Sequence, residues 1–222
     1  MKVLVVAAHL DDEVLGAGGA MAKHAMAGDE VYVLNICDRS ERHKFSADMV
    51  TTLRKQAKKM CKVIGVKELR HGGLADEYLD MSLADVIQPI EEAVESIQPE
   101  VIYTHHKGDV NQDHRAIFQA TLVATRSFTY PFIRQVLAFE VLSTTEQAPG
   151  QFPGWGFAPN LFVDICGSLK KKIRGMECYK SEINGFPFPR SVRGIQTLAQ
   201  FRGMQSGVEY AEAFEVVKMM DK

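Results

Sequence analysis

The sequence predicts an α/β fold, a Rossmann-like three-layer α/β/α arrangement around a mostly parallel sheet. Short apolar runs alternate along the chain with helix-length segments, and this alternation is typical of successive βαβ units. The first run, at residues 3–8, is apolar without interruption, as a strand covered by helices on both faces requires. Polar clusters follow the first and fourth runs, at the carboxyl ends of strands, where ligands bind in doubly wound sheets.

Local patterns predict the individual elements. Predicted strands are short runs rich in Val, Ile and Leu, whereas predicted helices carry apolar residues three or four positions apart. Gly28 and Gly65 end the first two helices, Ser82 caps the third, and Pro99 separates it from the fourth strand. In chain order, the predicted elements are strand 3–8, helix 12–27, strand 31–37, helix 47–64, strand 66–69, helix 82–97, strand 101–104, helix 114–127, strand 136–141, strand 161–165 and helix 169–182.

The last third of the chain is less regular. Residues 147–159 contain three prolines, three glycines and the only tryptophan, a composition typical of a long lid or binding loop. Residues 185–191 form a second irregular segment, and residues 208–220 are amphipathic. This amphipathic segment packs either into the core or against another subunit, so that a homo-oligomer is one of the two arrangements expected.

Composition narrows the class of protein. A chain of 222 residues with 46% hydrophobic content suits one domain, 1–222, because single cores usually split only beyond about 250–300 residues. The formal net charge of -2 gives no electrostatic reason to expect nucleic acid or an anionic membrane as partner, and favours a small-molecule ligand. The four cysteines form no C-x-x-C pair and no apolar run approaches about 18 residues, so we expect reduced thiols and a cytoplasmic protein without a membrane span.

A metal site is predicted where the first strand ends. His9, Asp11, Asp12 and Glu13 follow it directly, and burying unpaired carboxylates there would cost several kcal/mol, which a cation would offset. His9 and Asp12 are spaced to converge on one ion while Asp11 points elsewhere. His114, in the second polar cluster, completes a two-histidine, one-aspartate set with an open position, the layout of catalytic Zn²⁺ sites; Fe²⁺ fits the same ligands. The alternative is an acidic helix N-terminus favoured by the helix dipole, with a surface histidine.

Two separated segments carry a resemblance to a known family. Residues 9–13, with the sequence HLDDE, resemble the H-P-D-D-E motif of the LmbE/PIG-L-like zinc-dependent N-deacetylases, from which they differ at Leu10. Residues 111–115, with the sequence NQDHR, resemble the later D-H motif of that family. The similarity covers most of the chain, and it implies an LmbE-like fold and removal of an N-acetyl group from an amino sugar or its conjugate.

The resemblance also implies roles for single residues. It implies that His9, Asp12 and His114 bind zinc, and that Asp11 is the general base for the attacking water. Arg54 falls where the family often has a substrate-contacting arginine, and Arg190 is expected to contact substrate from the C-terminal side. For both arginines, the alternative is an ordinary solvated or ion-paired side chain.

Asn111 departs from the family pattern. Several relatives have a histidine at this position, where it stabilises the oxyanion, whereas Asn111 offers substrate only a neutral hydrogen bond. We expect His106, or its neighbour His105, to supply the missing imidazole, with Asp113 or Asp109 orienting it. A purely structural role is the alternative for either histidine.

Other classes of function remain as alternatives. One is a non-catalytic sugar- or nucleotide-binding module on the same scaffold, and another is a metal-dependent hydrolase of a different bond. Met21 stands where G-x-G-x-x-G needs its third glycine, which disfavours dinucleotide binding. No G-x-S-x-G occurs, which argues against a serine hydrolase.

Overall fold

A computed structural model describes residues 1–38 and 46–221, and it confirms the predicted α/β class. Seven strands form one sheet in the order β3-β2-β1-β4-β5-β7-β6. The strands are β1 (Lys2–Ala7), β2 (Glu30–Asp38), β3 (Glu68–Ala75), β4 (Val101–His105), β5 (Gln135–Phe139), β6 (Leu161–Asp164) and β7 (Ala211–Met219). The helices are α1 (Asp12–Met26), α2 (Ala47–Ile64), α3 (Leu83–Ile97), α4 (Gln112–Ala124), α5 (Leu169–Met176) and α6 (Val192–Ser206).

The sheet is parallel from β3 to β5, and β7 runs antiparallel to both of its neighbours. Helices cover both faces of this sheet. Along β1, Val3 and Val5 enter a core shared with α1, α2 and α5, while Leu4 and Val6 enter a second core shared with α3 and α4. Burial on both faces explains why β1 is a continuous apolar run. Among the described residues, no helix is long and apolar enough to cross a membrane.

Strand β1 is the point at which the strand order reverses. It pairs with β2 on one side and with β4 on the other, because the chain runs outward from β1 through β2 to β3 and then crosses back to β4 on the opposite side. In doubly wound sheets, the crevice at the carboxyl ends of such neighbouring strands is where ligands bind. The fold therefore brings the segments that follow β1 and β4 to a shared edge.

The C-terminal third differs most from the sequence prediction. Helix α5 ends at Met176 rather than at residue 182, because the chain then turns and buries Tyr179. Helix α6 was not predicted; only every fourth residue along it, Ile195, Ala199 and Gly203, is buried, which leaves a weak apolar periodicity. The amphipathic segment at 208–220 contains strand β7.

Helix α1 is broken at Ala17, and a buried ion pair satisfies the polar groups at the break. The backbone φ of Ala17 is -136°, outside the helical range. The carboxylate of Glu212 accepts hydrogen bonds from the backbone N–H groups of Gly19 (2.8 Å) and Ala20 (2.7 Å). Lys172 Nζ donates to the same carboxylate at 2.6 Å. The pairing of Lys172 with Glu212 offsets the cost of burying both charges in the core. The hydrogen bonds of Glu212 to α1 fix the first turns of that helix.

Gly16, next to the break, packs directly on an aromatic ring. A Cβ atom at this position would lie 2.2 Å from the ring of Phe139. Gly16→Ala is therefore expected to lower the free energy of unfolding by about 1–3 kcal/mol, because overpacking outweighs the better helix propensity of alanine. The urea unfolding midpoint measures this change. Gly167→Ala is the matched control, since a Cβ there meets nothing within 4 Å; equal midpoints for the two variants would contradict the close packing.

Candidate active site

Two loops at the carboxyl edge of the sheet carry the candidate site. The first joins β1 to α1 and contains His9 and Asp11, with Asp12 as the first helical residue. The second joins β4 to α4 and contains Asp109, with His114 in the first turn of the helix. Because β1 and β4 are paired neighbours, the two loops meet.

The three predicted metal ligands lie together. Asp12 Oδ2 is 3.1 Å from His9 Nδ1 and 3.1 Å from His114 Nε2. One ligand atom from each residue falls within 4.8 Å of the other two. A tetrahedral zinc ion with bonds of about 2.0–2.1 Å separates its nitrogen and oxygen ligands by roughly 3.3 Å, so that the spacing suits this ion.

An unpaired polar atom at this site also fits a cation. Asp12 Oδ1 is buried and has no hydrogen-bond partner among residues 1–38 and 46–221. Five carboxyl side chains of the two loops and their helices are fully buried, namely those of Asp11, Asp12, Glu13, Asp109 and Asp113. A divalent ion would offset the negative charge that these carboxyl groups carry when ionised.

Both histidines of the predicted metal site are backed by carboxylates. His9 Nε2 lies 3.2 Å from Asp113 Oδ2 and 2.8 Å from Asp76 Oδ1. His114 Nδ1 lies 3.1 Å from Asp109 Oδ2. A carboxylate behind the second ring nitrogen fixes the tautomer of a metal-binding histidine and raises its basicity.

Asp109 is itself held by two hydroxyl groups. Its Oδ2 accepts hydrogen bonds from Thr144 Oγ1 at 2.9 Å and from Thr145 Oγ1 at 2.6 Å. Burial alone would raise the pKa of Asp109, but His114 and the Thr145 hydroxyl hold it at about 2. The carboxylate behind His114 is therefore both charged and fixed in position.

Asp109→Asn tests this support of His114. An amide keeps the shape but not the charge, and the zinc affinity is expected to fall by about 10–100-fold, the usual loss for a partner behind a ligand histidine. Competition against a chromophoric zinc chelator measures the affinity. Asp85→Asn, at an exposed position on α3, is the control. Equal affinities for the two variants would contradict a role for Asp109 behind the ligand.

Asp11, the predicted base, is held beside the three predicted ligands in an unusual backbone conformation. Its φ of 116° is left-handed, a strained conformation for a residue other than glycine and one that clusters at functional sites. The backbone N–H of Asp11 donates to Glu13 Oε2 at 3.0 Å. Burial raises the pKa of Asp11 to about 8, although the positive charge of Arg190 opposes this shift.

The structure also brings together Asp11 and Arg190, two residues singled out separately in the sequence. Arg190 Nη1 donates to Asp11 Oδ2 at 2.8 Å, and its Nε donates to Ser143 Oγ at 2.7 Å. Asp11 Oδ1 has no partner among the described residues. One oxygen of the carboxylate is thus fixed by the guanidinium, and the other is left for a further donor.

The two adjacent histidines at the end of β4 point away from each other. His105 Nε2 accepts the backbone N–H of Ala8 at 2.9 Å, and its ring stacks on His114 with centroids 3.9 Å apart. Burial, together with the nearby His114, lowers the pKa of His105 well below its usual value, so that the ring is neutral and tightly packed. His106 Nε2 instead lies 3.2 Å from Glu215 Oε1. The catalytic role expected of His106 therefore stays a prediction.

Asp113 and Asp109 contact the ligand histidines rather than His105 or His106. Besides His9, Asp113 accepts the backbone N–H groups of Glu77 (2.7 Å) and Leu79 (3.1 Å). This placement differs from the expectation that one of these two aspartates would orient the imidazole at the end of β4. The catalytic role expected of Asp113 stays a prediction, and its contacts are those of a residue that positions His9.

Asn111 and Arg54 already have partners within the protein. Asn111 is the N-cap of α4, and its Oδ1 accepts the backbone N–H of Asp113 at 2.8 Å. Arg54 Nη2 donates to Asp38 Oδ2 at 2.7 Å and borders a small hollow next to Leu10. Their substrate contacts stay predictions.

Sequence reasoning missed the residues behind the ligands. Cys37 Sγ, 3.9 Å from Asp113 Oδ2, and Asp76 stand alone in the sequence, without a motif that distinguishes them. Burial raises the pKa of the Cys37 thiol to about 11. Glu13 belongs to the first polar cluster, but its partner Tyr179, whose hydroxyl donates to Glu13 Oε1 at 2.6 Å, lies far along the chain. Only the folded chain brings these residues together.

Comparison with known proteins identifies one family model that matches more than half of the chain. The family model described as PIG-L: GlcNAc-PI de-N-acetylase matches residues 4–125, which include both loops of the site. The deacetylase YaiS of Escherichia coli strain K12, described as uncharacterized, is 29% identical over 147 residues, which are 64% of this chain and 75% of YaiS.

Two further comparisons cover nearly the whole chain. The 4-oxalmesaconate hydratase of Pseudomonas putida is 26% identical over 236 residues, covering 97% of this chain and 89% of the hydratase. The solved structure of the N,N'-diacetylchitobiose deacetylase from Pyrococcus horikoshii has a TM-score of 0.77 at 20% identity, covering 98% of this chain and 84% of that chain. At this identity, the structural likeness shows the fold alone.

Proposed function

The chain belongs to the PIG-L (LmbE-like) family, described as GlcNAc-PI de-N-acetylase, and from this premise we propose that it is a zinc-dependent hydrolase that removes an N-acetyl group from an amino sugar or its conjugate. The observation that carries the proposal is the convergence of His9, Asp12 and His114 beside the buried carboxylate of Asp11. Three protein ligands with a fourth position left for water or substrate are the usual arrangement of a catalytic zinc site.

The chemistry of the donors supports zinc as the metal. Two imidazoles and one carboxylate suit Zn²⁺, and the same set also suits Fe²⁺. Bound zinc would supply Lewis-acid polarisation of the amide carbonyl and would lower the pKa of a coordinated water to about 7. His9, Asp12 and His114 would hold the ion, and Asp76, Asp109 and Asp113 would orient the two imidazoles.

Asp11 would carry out the proton transfers. Its free Oδ1 takes a proton from the attacking water and returns that proton to the departing amine, as amide hydrolysis requires. Arg190, bound to Oδ2, keeps the carboxylate oriented and stabilises its charged form. The backbone hydrogen bond from Asp11 to Glu13 fixes the same turn. Asp11 therefore needs no rearrangement of the backbone between the two transfers.

The family supports an amino-sugar substrate, and the charge of the chain is compatible with a small molecule. The deacetylase from Pyrococcus horikoshii acts on N,N'-diacetylchitobiose, and we extend this class of substrate to the present chain. A formal net charge of -2 favours a small molecule over nucleic acid as partner. Arg54 and Asn111 would contact the sugar only after leaving their present partners, whereas His106 stays a candidate for the oxyanion donor.

A panel of N-acetylated amino sugars tests the proposed function. The zinc-loaded protein is incubated with N-acetylglucosamine, diacetylchitobiose and N-acetylglucosaminyl conjugates, and the released primary amine is assayed with the metal-free protein as control. We expect amine release that requires zinc and is lost in His114→Ala, since that change removes a ligand. No release from any member of the panel would contradict the proposal.

Addition of water to a carbon–carbon double bond is the second candidate. The specific observation in its favour is the 26% identity to a hydratase over nearly the whole chain. An unsaturated polycarboxylic acid would be its substrate class, and loss of the ultraviolet absorbance of the conjugated acid would report its hydration. Absorbance loss without amine release from the acetylated panel would favour hydration. Absence of stoichiometric metal would instead favour a non-catalytic binding module.

A further inference from the structure

A second set of metal-ligand atoms lies on the far side of His9. His9 Nε2 is 2.8 Å from Asp76 Oδ1 and 3.2 Å from Asp113 Oδ2, and Cys37 Sγ is 3.9 Å from the same Asp113 oxygen. One ligand atom from each of these four residues falls within 4.8 Å of the other three. Cys37 and Asp113 are fully or almost fully buried, and Asp76 and His9 are each 8% exposed.

The three contacts measured among these atoms are close to the ligand spacings around tetrahedral zinc. With zinc–sulfur bonds of about 2.3 Å and zinc–nitrogen or zinc–oxygen bonds of about 2.0–2.2 Å, ligand pairs stand on the order of 3.3 Å apart, or 3.6 Å where sulfur is involved. The contacts to Asp113 need little adjustment, and the contact between His9 and Asp76 needs to open by about half an ångström. A thiolate with an imidazole selects zinc over magnesium or calcium.

From this geometry we infer that Cys37, Asp76, Asp113 and His9 Nε2 form a second zinc site, weaker than the first and filled only in excess zinc. Binding displaces the thiol proton of Cys37 and the Nε2 proton of His9, both of which pass to solvent. The ring of His9 then bridges two ions as an imidazolate, because its Nδ1 faces the first site. Two divalent cations that share one imidazole ring repel each other, and this repulsion makes the second site the weaker one.

Occupation of the second site removes the carboxylate support of His9. Without the second ion, Asp76 and Asp113 face His9 Nε2–H; with it, they become ligands of that ion. The second ion also draws electron density from the His9 ring, which holds the first ion. We therefore expect excess zinc to inhibit turnover. This consequence rests on the proposed function, whereas binding of the second ion does not.

Cobalt titration tests the second site directly, because cobalt bound to thiolate has a charge-transfer band in the near ultraviolet. The full chain is used with serine at Cys61, Cys166 and Cys178, so that Cys37 is the only thiol. We expect two equivalents of Co²⁺ to bind, the first without the thiolate band and the second with it. Cys37→Ser in the same background is expected to bind one equivalent without the band, and excess zinc should displace the second cobalt.

The results of the cobalt titration distinguish binding at the second site from binding at the first. A folded chain that binds one equivalent without the band, or a Cys37→Ser variant that still binds two, would overturn the inference. A band that arises with the first equivalent would support a cysteine site but contradict the ligand set of the proposed function. Asp76→Asn is the second variant, expected to weaken the second equivalent at least about tenfold by removing a charged ligand. Circular dichroism of the metal-free variants checks the fold.

Discussion

Asp11→Asn is expected to reduce turnover of the best acetylated substrate by about 10²–10⁴-fold while the protein keeps about one zinc ion per chain, because general acid–base catalysis is worth this much. Asparagine retains the shape and the neighbours of Asp11 but cannot take a proton from water. Arg190 keeps an oxygen to contact, so that the turn is expected to survive. Steady-state amine release gives the turnover, and elemental analysis gives the zinc content.

Glu182→Gln is the matched control for Asp11→Asn. Glu182 Oε2 lies 3.8 Å from the same Arg190 nitrogen, so this change also removes a negative charge beside the guanidinium. It leaves Asp11 in place, and we expect turnover to stay within about tenfold of wild type, because a general base remains. Comparable losses in both variants would assign the effect to local charge, and full turnover in Asp11→Asn would refute a base at this position.

Asp12→Asn is expected to lose both zinc and turnover, whereas Asp11→Asn loses turnover alone. Asp12 Oδ2 is the atom that both ligand histidines face, at 3.1 Å each. Removing its charge should weaken zinc binding by at least roughly 100-fold, because even partners behind a ligand contribute 10–100-fold. Competition with a chelator measures the affinity.

Added zinc separates the two variants further. In a Cys37→Ser background, which disables the second zinc site, saturating zinc should restore part of the turnover of Asp12→Asn, since the base is intact, and none of the turnover of Asp11→Asn. The division of labour between the adjacent aspartates is contradicted if Asp12→Asn binds zinc as wild type does, or if added zinc restores Asp11→Asn.

The sheet and the meeting of His9 with His114 could be predicted, because both depend on patterns that can be read in short segments of the sequence. A strand buried on both faces is a continuous apolar run, as β1 shows with Val3 to Val6. The ends of parallel strands share one edge of the sheet, so His9 and His114 could be expected to meet although they are far apart along the chain. The resemblance of both segments to one family made that expectation specific.

The remaining parts of the site depend on tertiary contacts that carry no local pattern. Nothing near Asp76, Cys37 or Thr145 in the sequence distinguishes them from other polar or small residues, yet packing brings each one behind a ligand histidine or its carboxylate. The contact between Arg190 and Asp11 likewise joins residues 179 positions apart. Helix α6 was missed because few of its residues are buried. The single domain 1–222 stays a prediction.

Diffraction at the zinc absorption edge, from crystals of the protein loaded with one equivalent of zinc, would locate the bound ion. We expect one anomalous peak about 2.0–2.2 Å from His9 Nδ1, from His114 Nε2 and from a carboxylate oxygen of Asp12. Asp11 is predicted to remain outside the coordination sphere, with Oδ1 facing the open position. A sole peak elsewhere in the protein, or zinc bound by Asp11 in place of Asp12, would contradict the roles proposed for the two aspartates.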